Sequence, residues 1–185
     1  GSFAVRSDEN GEISWLIGFS DYYSASKTLA VDNSSSNLFV ACSDKLFIFD
    51  LPEGFIEGEI SINQNFENST FNSQTNEFIA IGSELQKVCM YAFDNSLNSL
   101  WEMQYEGDAA TSYVINAKGD KFGNTYSLNS TSGTIEYNGN EVEHGLFLVK
   151  QNSTGEVIWL HSFPDVFMVP EYGSFLEIDT ANSYV

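Results

Sequence analysis

The chemistry open to this chain starts from its two histidines, His144 and His161, because histidine is the usual general base near neutral pH. His144 follows Glu141 and Glu143, and these three side chains would make a small metal patch that lacks a further defined ligand. A catalytic triad needs a base beside a nucleophile, and no spacing here specifies one. We therefore predict that both histidines are surface or packing residues, with no catalytic residue and no metal site.

Two polar turns, at residues 32–37 and 116–124, carry oxygen atoms of the kind that bind calcium. Neither turn matches the loop pattern D-x-[DN]-x-[DN]-G with a distal glutamate. We expect solvated turns and no cofactor, with calcium as the alternative.

The charge of the chain is strongly acidic, with 7 Lys and Arg against 26 Asp and Glu and a formal net charge of −19. Such a surface repels phosphate backbones and anionic membranes, whereas it attracts basic partners and divalent cations. No apolar run approaches the roughly 18 residues that cross a bilayer. The sequence shows no signal peptide, and a leader removed ahead of Gly1 and Ser2 is the alternative. The sequence thus predicts a soluble domain that neither binds nucleic acid nor inserts into a membrane.

Cys42 and Cys89 are the only cysteines. They fit one disulfide, two buried thiols, or neither, and their spacing does not choose between these alternatives. Neither lies in a C-x-x-C pair, so we expect no zinc or redox site.

Four Asn-x-Ser/Thr sequons begin at Asn33, Asn68, Asn129 and Asn152. All four fall in predicted turns or connections, where a glycan does not disturb packing. Together with the low lysine content, their placement predicts a secreted, extracellular glycoprotein.

The elements that position these residues are repeated hairpins. Residues 3–19 and 147–163 each contain a strand, a polar turn that ends in glycine, and a second strand with a tryptophan, at a constant offset of 144. Residues 91–105 are a third copy at offset 86, and residues 47–60 are a degenerate copy without tryptophan. We expect the three tryptophans to pack against the neighbouring repeat in like surroundings. They are Trp15, Trp101 and Trp159.

A second hairpin type alternates with the first and has an aromatic anchor in its second strand. The anchors are Phe39, Phe78, Tyr126 and Tyr184. Two hairpins for every 40–45 residues make a four-stranded antiparallel unit, which is the repeat length of a β-propeller blade. The sequence therefore predicts an all-β fold, a β-propeller with about four blade equivalents, in which neighbouring blades cover each other's faces.

We predict one domain over residues 1–185. Its parts are an outer hairpin at 3–19, blades at 29–60, 71–105 and 113–163, and a closing inner hairpin at 175–185. An insertion near residues 133–144 separates two strands of the last blade. Three arrangements remain open: a closed four-bladed ring, a part of a larger propeller, and two copies that pair into an eight-bladed ring.

Residues 8–15 and 152–159, DENGEISW and NSTGEVIW, resemble the tryptophan-docking motif of pyrroloquinoline-quinone-type propeller repeats. Residues 120–126 with the hairpin at 150–159 also resemble the SBBP repeats of bacterial propellers. The resemblance covers nearly the whole chain and implies a propeller fold. The cofactor and calcium ligands of the quinone enzymes cannot be placed on this sequence, so their activity is not implied.

The repeat, the acidic surface and the lack of a catalytic constellation favour a non-enzymatic extracellular module with a structural, adhesive or protein-interaction role. We expect a protein partner or self-association. One alternative is a propeller that binds a sugar, a peptide or a divalent cation, with Tyr22, Tyr23 and Tyr172 as stacking platforms. Another is a fragment of a quinone-type enzyme.

Overall fold

The computed structural model describes residues 2–19, 28–32, 34, 36–42, 45–62, 65–84, 87–107, 112–137, 139–164, 166 and 176–178. These residues form sixteen β-strands. The strands are β1 (Ser2–Ser7), β2 (Ile13–Phe19), β3 (Thr28–Val31), β4 (Asn37–Cys42), β5 (Lys45–Asp50), β6 (Ile56–Ser61), β7 (Asn65–Asn72), β8 (Glu77–Glu84), β9 (Lys87–Phe93), β10 (Ser99–Gly107), β11 (Ser112–Gly119), β12 (Thr125–Thr131), β13 (Ile135–Tyr137), β14 (Asn140–Val142), β15 (Gly145–Gln151) and β16 (Val157–Pro164). Within the described ranges, no helix has the length and apolar character needed to cross a membrane.

The strands pair into four antiparallel sheets, which we call blades I to IV. Blade I contains β1 and β2, and blade II contains β3 to β6 in chain order. Blade III contains β7 to β10, and blade IV contains β11, β12, β15 and β16. The innermost strands β3, β7 and β11 contact one another in that order, so successive blades lie side by side.

The turns that join the outer strands of blades I, III and IV share one hydrogen-bond pattern. In blade I, the Oδ1 atom of Asp8 accepts hydrogen bonds from the backbone N–H groups of Asn10 and Glu12, at 2.8 and 2.9 Å. Gly11 follows with a positive φ of 83°, which closes the three-residue loop with a bulge. Asp94 and Asn152 organise the equivalent turns of blades III and IV in the same way.

The predicted insertion leaves blade IV and pairs with the edge of blade III. Strands β12 and β15, which flank the insertion in sequence, pair with each other in blade IV. The insertion itself forms a hairpin of β13 and β14, and β13 pairs with the outer strand β10 of blade III. Ile135 and Val142 of this hairpin are buried in the apolar core between the two blades. Tyr137 packs edge-on against Tyr105 with ring centroids 5.1 Å apart. Blade III therefore becomes a six-stranded sheet.

The apolar cores lie between the blades, as expected if neighbouring blades cover each other's faces. One cluster joins blades I and II, a second joins II and III, and a third joins III and IV. The anchors Phe39 and Phe78 stack across the second of these interfaces with ring centroids 4.8 Å apart. Each of the three apolar clusters thus depends on packing between two blades.

The predicted closing hairpin at 175–185, with its anchor Tyr184, lies outside the described residues except for 176–178. Leu176 is buried and Glu177 is exposed. In the described part of the chain, blade I is a two-stranded sheet.

Candidate interaction site

A cleft of about 560 Å³ opens along the innermost strands of blades II, III and IV. Its lining combines amide, hydroxyl and apolar side chains from three successive blades. The lining residues are Leu29, Ala30, Val31, Asn68, Ser69, Thr70, Phe71, Asn116, Ala117, Lys118 and Glu177. A volume in this range is ordinary for a ligand cleft.

Hydrogen bonds join the inner strands of blades II and III on one side of this cleft. The hydroxyl groups of Thr28 and Ser69 are 2.8 Å apart, and the backbone N–H of Ser69 donates to the Thr28 Oγ1 atom at 2.9 Å. These contacts cross from β3 to β7. Because they are part-buried and short, they fix the spacing of the two strands before any ligand arrives.

Two further bonds fix blade IV against blade III. The Nδ2 atom of Asn68 donates to the carbonyl oxygen of Ile115 at 3.2 Å, and the backbone N–H of Val114 donates to the Glu67 carboxylate at 3.1 Å. Both strands have a register shift at this level, between Phe66 and Asn68 in β7 and between Val114 and Asn116 in β11. The bulges free backbone and side-chain groups for bonds between blades.

The charged pair in the cleft is weak. The Nζ atom of Lys118 lies 3.9 Å from the Glu177 carboxylate, and both side chains are exposed. An exposed pair at this distance contributes little to stability. It leaves both charges accessible to a ligand.

The two histidines lie apart from the cleft lining. His144 is exposed between β14 and β15, beside the exposed Glu141 and Glu143. His161 is exposed on β16, with its ring centroid 5.0 Å from that of Phe163. Among the described residues, no group of three or more His, Cys, Asp or Glu side chains is arranged to hold a metal ion.

The two turns considered for calcium use their carboxylates within the turn. Asp120 accepts hydrogen bonds from the backbone N–H groups of Phe122 and Asn124, from the Asn124 side chain and from the Tyr126 hydroxyl. Burial alone would raise the pKa of Asp120, but these bonds outweigh it and hold the pKa below its ordinary value. Asp32 accepts equivalent bonds from Ser34, Ser36 and Asn37. Both carboxylates thus accept several hydrogen bonds from within their own turns, and calcium binding stays an untested alternative.

Trp15 and Trp101 each lie against a turn glycine of the following blade. A Cβ atom on Gly54 would lie 2.6 Å from the Trp15 ring, and one on Gly155 would lie 2.7 Å from the Trp101 ring. The Nε1 atom of Trp15 also donates to the carbonyl oxygen of Leu51 at 2.9 Å. Both glycines have positive φ, so the tryptophan covers a turn in which no other residue fits.

The interface between blades II and III uses the same positions with the residue sizes exchanged. Gly58 of blade II occupies the strand position that Trp101 occupies in blade III. Gly58 pairs with Ile48 across its hairpin, and Trp101 pairs with Ala92 across the equivalent hairpin. Leu97, with a positive φ of 60°, occupies the turn position that is glycine in the other outer turns, and its side chain is buried. A large turn residue therefore packs towards a glycine, whereas elsewhere a tryptophan packs on a turn glycine.

Trp159 does not share the surroundings of the other two tryptophans, so the expectation of like surroundings was wrong for this residue. Its ring contacts Tyr126 of its own blade, with centroids 6.0 Å apart, and it remains exposed. Gly11, the turn glycine of blade I, has no atom within 4 Å of the position of a Cβ. The difference arises because no described blade follows blade IV.

The prediction that all four sequons lie in turns was wrong for two of them. Asn129 lies within β12 with a fully buried side chain, and its Nδ2 atom donates to Ser127. Asn68 lies within β7 and bonds to blade IV as described above. The Asn-Ser-Thr composition is typical of turns, but here inter-blade packing places it in strands. Asn152 lies in a turn, and Asn33 is outside the described residues.

The two cysteines lie in different apolar cores. Cys42 is buried between blades I and II, and Cys89 is buried between blades II and III. The structure holds no disulfide between them. Burial raises the pKa of the Cys42 thiol to about 11.

Sequence reasoning missed the cleft itself. The lining residues Asn68 and Asn116 come from two copies of the inner strand, and Thr28, which bonds to Ser69, comes from the third. The only signal was a polar residue in each copy. The tyrosines considered as stacking platforms, Tyr22, Tyr23 and Tyr172, lie outside the described residues.

No protein-family model matches the chain, and no curated protein matches it. Solved structures do match. The WD40 domain of Neurospora crassa Pan2 has 11% identity and a TM-score of 0.58, over 82% of this chain and 44% of that one. The β-propeller domain of Myceliophteria thermophila Cps50 (Swd1) has 12% identity and a TM-score of 0.57, over 93% of this chain and 50% of that one.

The chain thus spans about half the length of these solved structures. At such low identity the likeness concerns the fold alone. Together with the four-stranded antiparallel sheets, it confirms the predicted fold class, a β-propeller or a part of one.

Proposed function

We propose that this chain is a non-enzymatic protein-interaction module whose inner-strand cleft binds an extended segment of a partner protein. The observation that carries the proposal is the cleft between β3, β7 and β11, held by hydrogen bonds from one blade to the next. A preformed cleft binds without first paying for its own ordering, which favours affinity.

The lining chemistry supports a binding role. Leu29, Val31 and Phe71 provide apolar area, while Asn68 and Asn116 provide side-chain amides. Such groups orient a peptide by hydrogen bonds and apolar contact, and the charged side chains of Lys118 and Glu177 are accessible to charged groups of the peptide. The net charge of −19 favours a partner segment with basic residues.

A selection experiment tests this proposal. A random peptide library is selected against the purified chain, and the bound peptides are measured against Leu29→Glu and, as a matched control, Phe55→Glu. Both side chains are exposed, but Phe55 lies in the turn before β6 and outside the cleft. We expect affinity to fall about tenfold or more for Leu29→Glu only. Failure to select any peptide, or equal effects of both substitutions, would reject the cleft as the binding site.

We also propose an extracellular location with a structural or adhesive role, supported by the position of the Asn152 sequon in a turn between β15 and β16. The test is expression through a eukaryotic secretory pathway, followed by peptide mapping of the attached glycans. We expect modification at Asn152 and none at Asn129, whose side chain is buried. An unmodified Asn152 in the secreted chain would remove this support.

A further inference from the structure

Blade I exposes side chains whose equivalents in blade IV are buried. Phe3 and Val5 precede Phe147 and Val149 by the repeat offset of 144. Phe147 and Val149 are 0% exposed, because they pack into the core between blades III and IV. Phe3 is 62% exposed and Val5 is 47% exposed. Blade I therefore presents the face that, in an internal blade, meets the preceding blade.

Blade IV exposes the complementary face. Trp159 and Phe163 follow Trp101 and Tyr105 by 58 residues. Tyr105 is fully buried between blades III and IV, whereas Phe163 is 40% exposed and Trp159 is 37% exposed. Blade IV thus presents the face that, in an internal blade, meets the following blade.

The contact between a tryptophan and a turn glycine shows that the exposed face of blade IV is complementary to the exposed face of blade I. Trp101 lies on the Gly155 turn, and the sequence equivalent of that contact is Trp159 on the Gly11 turn. In the structure, Gly11 has open space around it, in a turn of the same hydrogen-bond pattern as the Gly155 turn. Among the described residues, Trp159 therefore lies on no turn glycine, and the turn glycine Gly11 is covered by no tryptophan.

The geometry points to a second copy of this chain as the occupant of both faces, with Trp159 of each copy seated on the Gly11 turn of the other. The part of this chain that matches covers 44% and 50% of the two solved propellers, so two copies of it would together span about the length of one such propeller. Two head-to-tail contacts related by a twofold axis close the ring and leave no exposed blade face.

The charges near the two faces agree with this pairing. Lys150 lies beside Trp159 in the register of blade IV. The Gly11 turn carries the exposed acids Asp8, Glu9 and Glu12. Seating Trp159 on Gly11 brings the basic and acidic sides together, which favours the pairing of unlike faces over the pairing of like ones.

The test is the mass of the 185-residue chain by light scattering behind size exclusion, for the native sequence and for Phe3→Glu, Trp159→Glu and Leu100→Glu. Leu100 is the control, because it is exposed on the outer strand of the internal blade III. We expect twice the chain mass of 20.6 kDa for the native chain and Leu100→Glu, and the chain mass for the other two.

A mixing experiment separates a second copy from closure within one chain. Phe3→Glu keeps an intact blade IV face, and Trp159→Glu keeps an intact blade I face. We expect their mixture to form a dimer through one native contact, although neither variant dimerises alone. A monomeric native chain, or a mixture that stays monomeric, would overturn the inference. Circular dichroism of each variant checks that the strands are intact.

Discussion

Leu97 of blade III packs towards Gly58 of blade II, with its Cδ1 atom 3.7 Å from the position of a Cβ on that glycine. At the two other interfaces a tryptophan holds the position of Gly58 and a glycine holds the position of Leu97. The same contact is thus made with the two residue sizes exchanged. Complementary volume across the interface, rather than either residue alone, is what the packing requires.

The exchange predicts that the two positions are coupled. Leu97→Gly removes a buried side chain but relieves a positive φ, so we expect a loss of about 2 kcal/mol in the free energy of unfolding. Gly58→Trp overfills the interface while Leu97 is present. The double variant restores the tryptophan-on-glycine contact and should be more stable than either single variant. Urea denaturation measures all four chains, and additive effects would contradict the coupling.

Gly155→Ala tests the contact of Trp101 with the turn below it. An alanine there strains a backbone with φ of 81° and places its Cβ 2.7 Å from the indole, so we expect a loss of about 3 kcal/mol. Gly139→Ala is the matched control, because Gly139 has φ of 75° and no atom within 4 Å of a Cβ. We expect about 1 kcal/mol for the control. Equal losses would mean that the indole does not cover the turn.

The acid sensitivity of the turns depends on Asp120. Its pKa is below the ordinary value because hydrogen bonds in the turn outweigh the effect of burial. Ionised Asp120 therefore stabilises the folded chain above its ordinary pKa of about 3.9, and this contribution is lost as the pH falls through the lower folded pKa. We expect Asp120→Asn to flatten the decline of unfolding free energy between about pH 5 and pH 2.

Asn152 provides the reciprocal control, since its amide oxygen accepts the same backbone hydrogen bonds in the turn between β15 and β16 and does not titrate. Because its Nδ2 atom also donates to the Glu156 carboxylate, Asn152→Asp is made together with Glu156→Gln, and this pair should steepen the same decline. Unchanged slopes in both variants would show that these turn carboxylates do not contribute to acid stability.

The buried thiols should resist modification in the folded chain. Burial raises the pKa of Cys42 to about 11, so little thiolate is present at pH 8. We expect negligible reaction with a thiol reagent in buffer and reaction of two thiols for each chain in denaturant. If no thiol reacts in denaturant without a reductant, the chain contains a disulfide, and the placement of Cys42 and Cys89 in two separate cores is wrong.

The repeat was predictable from sequence because glycine and tryptophan recur at fixed offsets, and strands of this spacing must cover their faces with neighbouring blades. The partner of the β13–β14 hairpin was not predictable. Its apolar residues Ile135 and Val142 show only that it packs somewhere, and nothing local specifies the edge of β10. The more specific resemblance to quinone-type and SBBP repeats stays a prediction.

The site was harder to predict than the fold. The cleft depends on Leu29, Asn68 and Asn116, which are distant in sequence and meet only because three blades align their inner strands. Composition misled at Asn129, because an Asn-Ser-Thr triplet indicates a turn unless neighbouring sheets bury it. The exchange of Leu97 and Gly58 is likewise visible only across an interface.

The most direct test of the whole account is the NMR chemical shift of the glycine α-protons, because a proton over the face of an indole is shifted upfield by the ring current. We predict upfield shifts for Gly54 and Gly155 that disappear in Trp15→Phe and Trp101→Phe, respectively, while Gly139 keeps an ordinary shift. Ordinary shifts for Gly54 and Gly155 in the native chain would contradict blades joined by tryptophan on glycine.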